Sequence, residues 1–162
     1  MGNEHRQDDG VGIFIARVLG LWHLAGVRIA ETQRDGTYLM DLWQGAGIVF
    51  VFDAVYSANT AGAIYRLDAI KEPLPADIFR LSTHSLGIAE AVELSRVLNR
   101  LPAELIIFGI GVKNFGLGQG LSLQCERSAW KVVRQVLGEI RLKKNNFLAF
   151  ECKAPLITGV DR

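Results

Sequence analysis

Apolar residues recur along the chain at two different spacings, and their order predicts an α/β fold. Helical spacing covers four segments, residues 11–25, 37–45, 85–100 and 127–143. Strand-like apolar runs cover four others, residues 27–31, 48–55, 63–67 and 104–112. The runs at 48–55 and 104–112 are almost continuous in β-branched and aromatic residues, which is typical of strands buried on both faces. Strands that alternate with helices favour parallel pairing through right-handed crossovers, so the pattern predicts a three-layer α/β/α sandwich.

Length and composition predict one globular domain at residues 1–144. The chain has 162 residues, of which 49% are hydrophobic and 22% charged, and this usage is ordinary for a folded domain. The apolar pattern fades after residue 144, so residues 145–162 are predicted to be a tail, either mobile or adding a strand around residues 147–150.

Charge patterning excludes several classes of partner. The formal net charge is +1, without the basic excess that nucleic acid or anionic lipid requires. The apolar stretch at residues 11–30 is interrupted by Arg17, His23 and Arg28, which argues against a membrane span, and the mixed charges before it argue against a signal peptide. Cys125 and Cys152 have no metal-finger or C-x-x-C spacing, so we expect free thiols. A cytoplasmic monomer is therefore predicted.

Three reactive side chains are predicted to meet at one edge of the sheet. Asp53 lies near the end of a buried strand, Asp9 precedes the first helix, and His84 precedes the third. Ligands of such sheets bind outside the carboxyl ends of the strands. Two carboxylates and an imidazole there form either a metal-binding set or an acid/base set.

Structural interpretations of the same residues stay open at this point. Asp8 and Asp9 are also good candidates for capping the first helix, because carboxylates favour helix N-termini. Asp53 could instead hold a loop through backbone amides, and a single His84 before a helix is often structural.

The chain resembles the hydrogenase maturation endopeptidases, which remove a C-terminal extension from the large subunit of nickel–iron hydrogenases. The matching motifs are Gly2-Asn3 with Arg6, Asp8-Asp9-Gly10-Val11-Gly12, Phe52-Asp53-Ala54, Gly62-Ala63-Ile64, Ser82-Thr83-His84-Ser85-Leu86-Gly87-Ile88-Ala89-Glu90-Ala91, the strand at residues 102–111, and Gly120-Leu121-Ser122. Together they extend over residues 2–142 in the family's order.

The resemblance implies a flavodoxin-like or phosphorylase-like fold with a mostly parallel sheet. It also implies that Asp9, Asp53 and His84 are the catalytic and nickel-contacting positions of an aspartic-type endopeptidase. No cofactor of its own is expected, since the nickel in that family is supplied by the substrate, the immature large subunit.

Two departures from the family pattern are visible. Family members begin with a hydrophobic strand before the Gly-Asn turn, and this chain begins at that turn, so we expect a sheet without the family's first strand, a misassigned or truncated start, and low stability. In addition, residues 32–37 differ from the Gly-Gly-Thr version of better-known members, which suggests a different large subunit as substrate.

Two other functions compete with the endopeptidase. A hydrolase could carry its own zinc on Asp9, Asp53 and His84, since three protein ligands and a water are the usual catalytic arrangement. A non-catalytic module could instead dock on a metal-loaded partner without cleaving it.

Overall fold

The computed structural model describes residues 6–32, 36–57, 60–75, 87–113, 116, 118 and 120–148, with side chains described up to residue 143. In chain order the elements are a 3-10 helix Gln7–Gly10, α1 Val11–Gly20, α2 Gly36–Trp43, β1 Ile48–Tyr56, β2 Ile64–Asp68, α3 Ile88–Val97, β3 Glu104–Val112 and α4 Leu123–Leu148. Among these residues, no helix combines the length and apolar character needed to cross a bilayer.

The described strands form one sheet in the order β1-β3-β2. β1 pairs with β3 in parallel, with Ile48 opposite Glu104 at the start of both strands. β2 pairs with the other edge of β3 in the antiparallel direction. The α/β class is confirmed with a small mixed sheet in place of a mostly parallel one, because the connection from β1 to β2 is too short for the crossover that a parallel strand requires.

Two helical layers cover the sheet. Alternate β3 residues point to opposite faces, so Leu105 and Ile107 pack in a core with α2 and α3. Ile106, Phe108 and Ile110 pack in a second core with α1 and α4. The predicted three-layer sandwich is therefore confirmed.

The first helix is shorter than its apolar pattern predicts. α1 buries Val11, Ile15 and Leu19 and ends at Gly20. Trp22, predicted on the apolar face of this helix, is 60% exposed. Apolar spacing overestimated the helix because it cannot show whether another element covers the last turn.

Residues 27–31, predicted as a strand, belong to no strand in the structure. A strand is defined by its pairing, and the described sheet offers no neighbour to this segment. The prediction was wrong for that reason, although the segment has a strand-like composition.

The last helix is longer than predicted at both ends. α4 begins at Leu123 rather than residue 127 and continues to Leu148. The helix therefore occupies positions 147 and 148, where a strand was considered as an alternative, and residues 149–162 lie outside the described part of the chain. α3 is shorter than the predicted 85–100, and its first three predicted positions include undescribed residues.

An ion pair joins β2 to α4 across the sheet face. Arg66 donates through Nε and Nη2 to the two carboxylate oxygens of Glu139, at 2.9 Å each. This fork geometry makes the hydrogen bonds charge-assisted. The guanidinium lowers the pKa of the Glu139 carboxyl below its ordinary value, and the half-buried position of Glu139 partly opposes that shift.

Glu139→Gln is expected to destabilise the protein by about 0.5–1 kcal/mol at pH 7, as for other partly exposed pairs. A lowered carboxyl pKa contributes stability above the unfolded value, about 4.3, and this contribution is lost as the pH falls through the folded value. The difference in unfolding free energy between the wild type and Glu139→Gln should therefore shrink toward zero near pH 3. Urea unfolding of both proteins at pH 7 and pH 3 measures it. Glu72→Gln, at an exposed position, is the control. An equal loss of stability in Glu139→Gln at pH 7 and pH 3 would contradict the contribution assigned to the Arg66–Glu139 ion pair.

Candidate active site

Asp9 lies in the 3-10 helix Gln7–Gly10, immediately before α1. The turn is closed by a hydrogen bond from the Asp9 amide to the Arg6 carbonyl, 3.1 Å long. The 3-10 helix also contacts β1, the strand that carries Asp53. The two carboxylates thus belong to neighbouring elements, and both are half-buried.

Asp8 fastens this turn to the start of α4. Its Oδ1 accepts a hydrogen bond from the Ser122 amide at 2.6 Å, and its Oδ2 accepts one from the Ser122 hydroxyl at 2.8 Å. The Ser122 hydroxyl oxygen in turn accepts from the Cys125 amide at 3.3 Å, in the manner of an N-cap. Asp8 therefore binds the N-terminal end of α4, and no side-chain hydrogen bond caps α1 itself.

This tether corrects the capping interpretation and was missed in the sequence. Ser122 stands just before α4, and a serine before an apolar-periodic segment is a recognised start signal. Nothing in the sequence indicated that its partner would be Asp8, because the two residues are 114 positions apart.

Asp53 lies inside β1, which continues three residues further to Tyr56. Its register partner on β3 is Gly109, and Gly109 is also the partner of Tyr65 on β2. Asp53 and Tyr65 therefore flank a position without a side chain. Strand alternation places Asp53 on the same face as Val51, the face covered by α2 and α3.

A second glycine, two residues further along β3, lets a loop approach the sheet closely. A Cβ added to Gly111 would lie 2.6 Å from the Thr60 carbonyl oxygen. The Tyr65 hydroxyl lies 3.2 Å from Thr60 Oγ1 and 3.4 Å from Ser57 Oγ. Gly111 thus allows the close approach of a loop whose Ser57 and Thr60 hydroxyls lie beside that of Tyr65, a role that the spacing of the glycines did not reveal.

His84 falls outside the described residues, as do its neighbours at 76–86. Within the described part of the chain, no three His, Cys, Asp or Glu side chains are grouped so that they could hold a metal ion. The meeting of Asp9, Asp53 and His84 at one site therefore stays a prediction. The structure shows that the elements carrying Asp9 and Asp53 are in contact.

Cys125 is buried beneath the Asp8 tether, with 1% of its surface exposed. Burial, together with the negative charge of Asp8, raises the pKa of its thiol to about 12. A thiol in this state is protonated at neutral pH, so Cys125 is not a nucleophile.

The family model described as hydrogenase maturation protease matches residues 26–139, more than half of the chain. This chain belongs to the hydrogenase maturation protease family. The resemblance found in its motifs is thereby confirmed.

A curated relative shows how much of the chain is similar in sequence. The hydrogenase expression/formation protein HupD of Thiocapsa roseopersicina is 27% identical over 112 residues, covering 68% of this chain and 51% of that protein. The chain spans about half the length of the curated relatives it matches.

Solved structures share the fold over most of the chain. A solution structure of an endopeptidase from Escherichia coli has a TM-score of 0.76 at 24% identity, covering 88% of this chain and 90% of that one. The [NiFe] hydrogenase maturation protease HybD from Thermococcus kodakarensis has a TM-score of 0.64 at 26% identity, covering 85% and 93%. The predicted fold class is therefore that of the family.

Gly111→Ala should destabilise the protein by about 1–3 kcal/mol, because the new methyl group meets a backbone carbonyl that cannot move without shifting the loop. Gly138→Ala is the matched control: it is exposed in α4 with nothing within 4 Å, and should stabilise by about 0.5–1 kcal/mol through helix propensity. Urea unfolding measures both. Equal effects of the two substitutions would show that Gly111 is not required for close approach.

In a Cys152→Ser background, native Cys125 should react with Ellman's reagent at pH 8 at least tenfold more slowly than the same thiol in urea. A thiol with a pKa near 12 has almost no thiolate at that pH, and burial also blocks the reagent. Rapid labelling of the folded protein would contradict the buried, protonated state.

Proposed function

We propose that this chain is an endopeptidase that removes the C-terminal extension of a nickel-loaded large subunit during nickel–iron hydrogenase maturation. The observation that carries the proposal is the seating of the Asp9 turn against β1, the strand of Asp53, in a member of this protease family. Names of relatives support it: HupD is a hydrogenase expression/formation protein, and HybD of Thermococcus kodakarensis is a [NiFe] hydrogenase maturation protease.

The position of the Asp9 turn supports a catalytic role for Asp9 rather than a role as the cap of α1. No side-chain hydrogen bond caps α1, and Asp9 lies on a turn that is fixed by the Asp8–Ser122 hydrogen bonds and by the bond from the Asp9 amide to the Arg6 carbonyl. A carboxylate held in this way loses little conformational freedom when a substrate binds, which favours catalysis by positioning.

The metal in this proposal belongs to the substrate. Carboxylate oxygen and imidazole are both acceptable ligands for a divalent first-row metal, so Asp9, Asp53 and His84 would contact the nickel of the immature large subunit. That contact selects a large subunit that has already received its metal. The enzyme itself needs no metal of its own.

Cleavage requires a base for water and an acid for the leaving amine. One of the two carboxylates takes a proton from a water molecule while the oxygen of that water bonds to the scissile carbonyl carbon. The C–N bond then breaks, and the proton passes to the departing nitrogen. Asp9 and Asp53 would titrate as a coupled pair, so the base is a property of the pair rather than of one residue.

The proposal extends to the protein's state in the cell. We infer a cytoplasmic monomer whose partner is the immature large subunit, without nucleic acid or membrane partners. The near-neutral net charge of +1 supports this, because the chain has no overall basic excess that would attract polyanions.

Asp9→Asn, Asp53→Asn and His84→Ala should each lower the rate of large-subunit processing by at least about 100-fold, as expected for loss of a group that transfers protons or contacts the metal. Processing of purified, nickel-loaded precursor is followed by the mass of the large subunit, and circular dichroism reports the fold. Asp41→Asn, at an exposed position of α2, is the matched control and should process at the wild-type rate.

Wild-type processing by Asp53→Asn or His84→Ala would refute the assignment of the site. Metal analysis of the purified protein separates the remaining alternatives. Stoichiometric zinc bound by this chain would favour a zinc hydrolase, and metal-dependent binding of precursor without cleavage would favour a docking module.

A further inference from the structure

Three side-chain hydroxyl groups meet beside the carboxyl ends of β1 and β3. Ser57 Oγ and Thr60 Oγ1 form a hydrogen bond with each other, and the Tyr65 hydroxyl lies 3.2 Å from Thr60 Oγ1 and 3.4 Å from Ser57 Oγ. Ser57 directly follows β1, and Tyr65 is the second residue of β2, which starts opposite Ile110 of β3. This hydroxyl cluster therefore lies at the edge where sheets of this class bind ligands.

The hydroxyl cluster shares a face of the sheet with Asp53. Asp53 and Tyr65 are both register partners of Gly109. Residues paired in this way point to the same face of a sheet, and Tyr65 packs against the core that α2 and α3 cover. Neighbouring strands lie about 4.8 Å apart, so the Cα atoms of Asp53 and Tyr65 are about 10 Å apart. Because Gly109 has no side chain, β3 places no side chain between them at this position.

The accessibility and charge of the cluster indicate what it can bind. Thr60 is exposed, and Ser57 and Tyr65 are half-buried, so a ligand can reach the hydroxyl groups. Arg66, the next residue of β2, pairs with Glu139 on the opposite face. The Asp53 carboxylate on the face of the cluster disfavours an anionic ligand. Neutral hydroxyl groups beside a carboxylate therefore suit an uncharged ligand with hydrogen-bonding groups, and a peptide backbone is such a ligand.

Tyr65 is the member of the cluster best suited to donate a hydrogen bond to a ligand. A phenol is more acidic than an aliphatic alcohol, so its O–H group is the stronger donor. When Thr60 donates to the phenolic oxygen, that bond polarises the Tyr65 hydroxyl and strengthens its own donation. Ser57 can donate to Thr60 in the same direction, so the cluster forms a chain of donors that ends at Tyr65.

We infer that the hydroxyl cluster is a subsite for the backbone of the substrate, in which Tyr65 donates a hydrogen bond to a peptide carbonyl of the C-terminal extension. This inference rests on the proposed function. An extended peptide advances about 3.3 Å per residue, so a separation of about 10 Å places this carbonyl within about three residues of the bond cleaved beside Asp53. The hydrogen bond is the same in the bound state and in the transition state, so it contributes to binding and not to the chemical step.

Tyr65→Phe removes the hydroxyl group and keeps the ring. It should raise KM for purified, nickel-loaded precursor about fivefold and leave kcat within about twofold of the wild type, because losing an interaction common to both states changes KM alone. Thr60→Val removes the donor behind Tyr65 and should raise KM about twofold. Both constants come from the mass of the large subunit, followed over a range of precursor concentrations.

Tyr56→Phe is the matched control. Tyr56 ends β1, is 42% exposed, and points by strand alternation away from the face of Asp53. Loss of its hydroxyl should leave both KM and kcat unchanged. Urea unfolding checks that all three variants are fully folded under the assay conditions, so that a change in KM reports on the subsite and not on the fold.

The possible outcomes separate the subsite from the proposed function. If the wild type processes the precursor and Tyr65→Phe has an unchanged KM, the subsite is wrong and the proposed function stands. A fall in kcat at constant KM would also overturn the subsite, because Tyr65 would then act on the transition state. An equal rise of KM in Tyr56→Phe would overturn it as well. If the wild type does not process the precursor, the proposed function is wrong, and the subsite falls with it.

Discussion

Strand β3 is paired on both edges and covered on both faces, and the positions of the other elements depend on it. Residues 105–112 are all buried. The parallel partner β1 and the antiparallel partner β2 take their register from it, and the two helical layers pack on its alternate side chains. Burial on both faces explains why this run is continuously apolar, and the close approach of the Thr60 carbonyl explains the glycine at position 111.

The candidate site is built from contacts between elements that lie far apart in the chain. Asp8 binds Ser122 at the start of α4, while the adjacent Asp9 turn rests on β1. The tether is short and charge-assisted at a helix N-terminus, where the backbone amides and the helix dipole both favour a carboxylate. Asp8 therefore joins two elements of the fold, and the adjacent Asp9 is the residue to which the proposed chemistry is assigned.

The open side of β1 gives the fold a second feature of consequence. A sheet edge lined with apolar side chains from two layers is a costly surface to leave in water, and proteins usually cover such edges. An apolar cavity of about 500 Å³ lies along this edge, and Asp53 directly follows the β1 residues 48–52 that line it.

Sequence alone determined the layering and, apart from the strand predicted at residues 27–31, the types of the predicted elements, because both follow from local spacing. The buried strands at 48–55 and 104–112 were predicted within one residue, since apolar runs of this kind have few alternatives. Motif order was enough to identify the family. The pairing partners were decided only in the tertiary structure: β2 runs antiparallel, residues 27–31 form no strand, and Trp22 is exposed, because each depends on what lies beside it. The Asp8–Ser122 tether and the loop over Gly111 were also decided by the tertiary structure. Both join residues that lie far apart in the chain, and local sequence patterns do not predict such contacts.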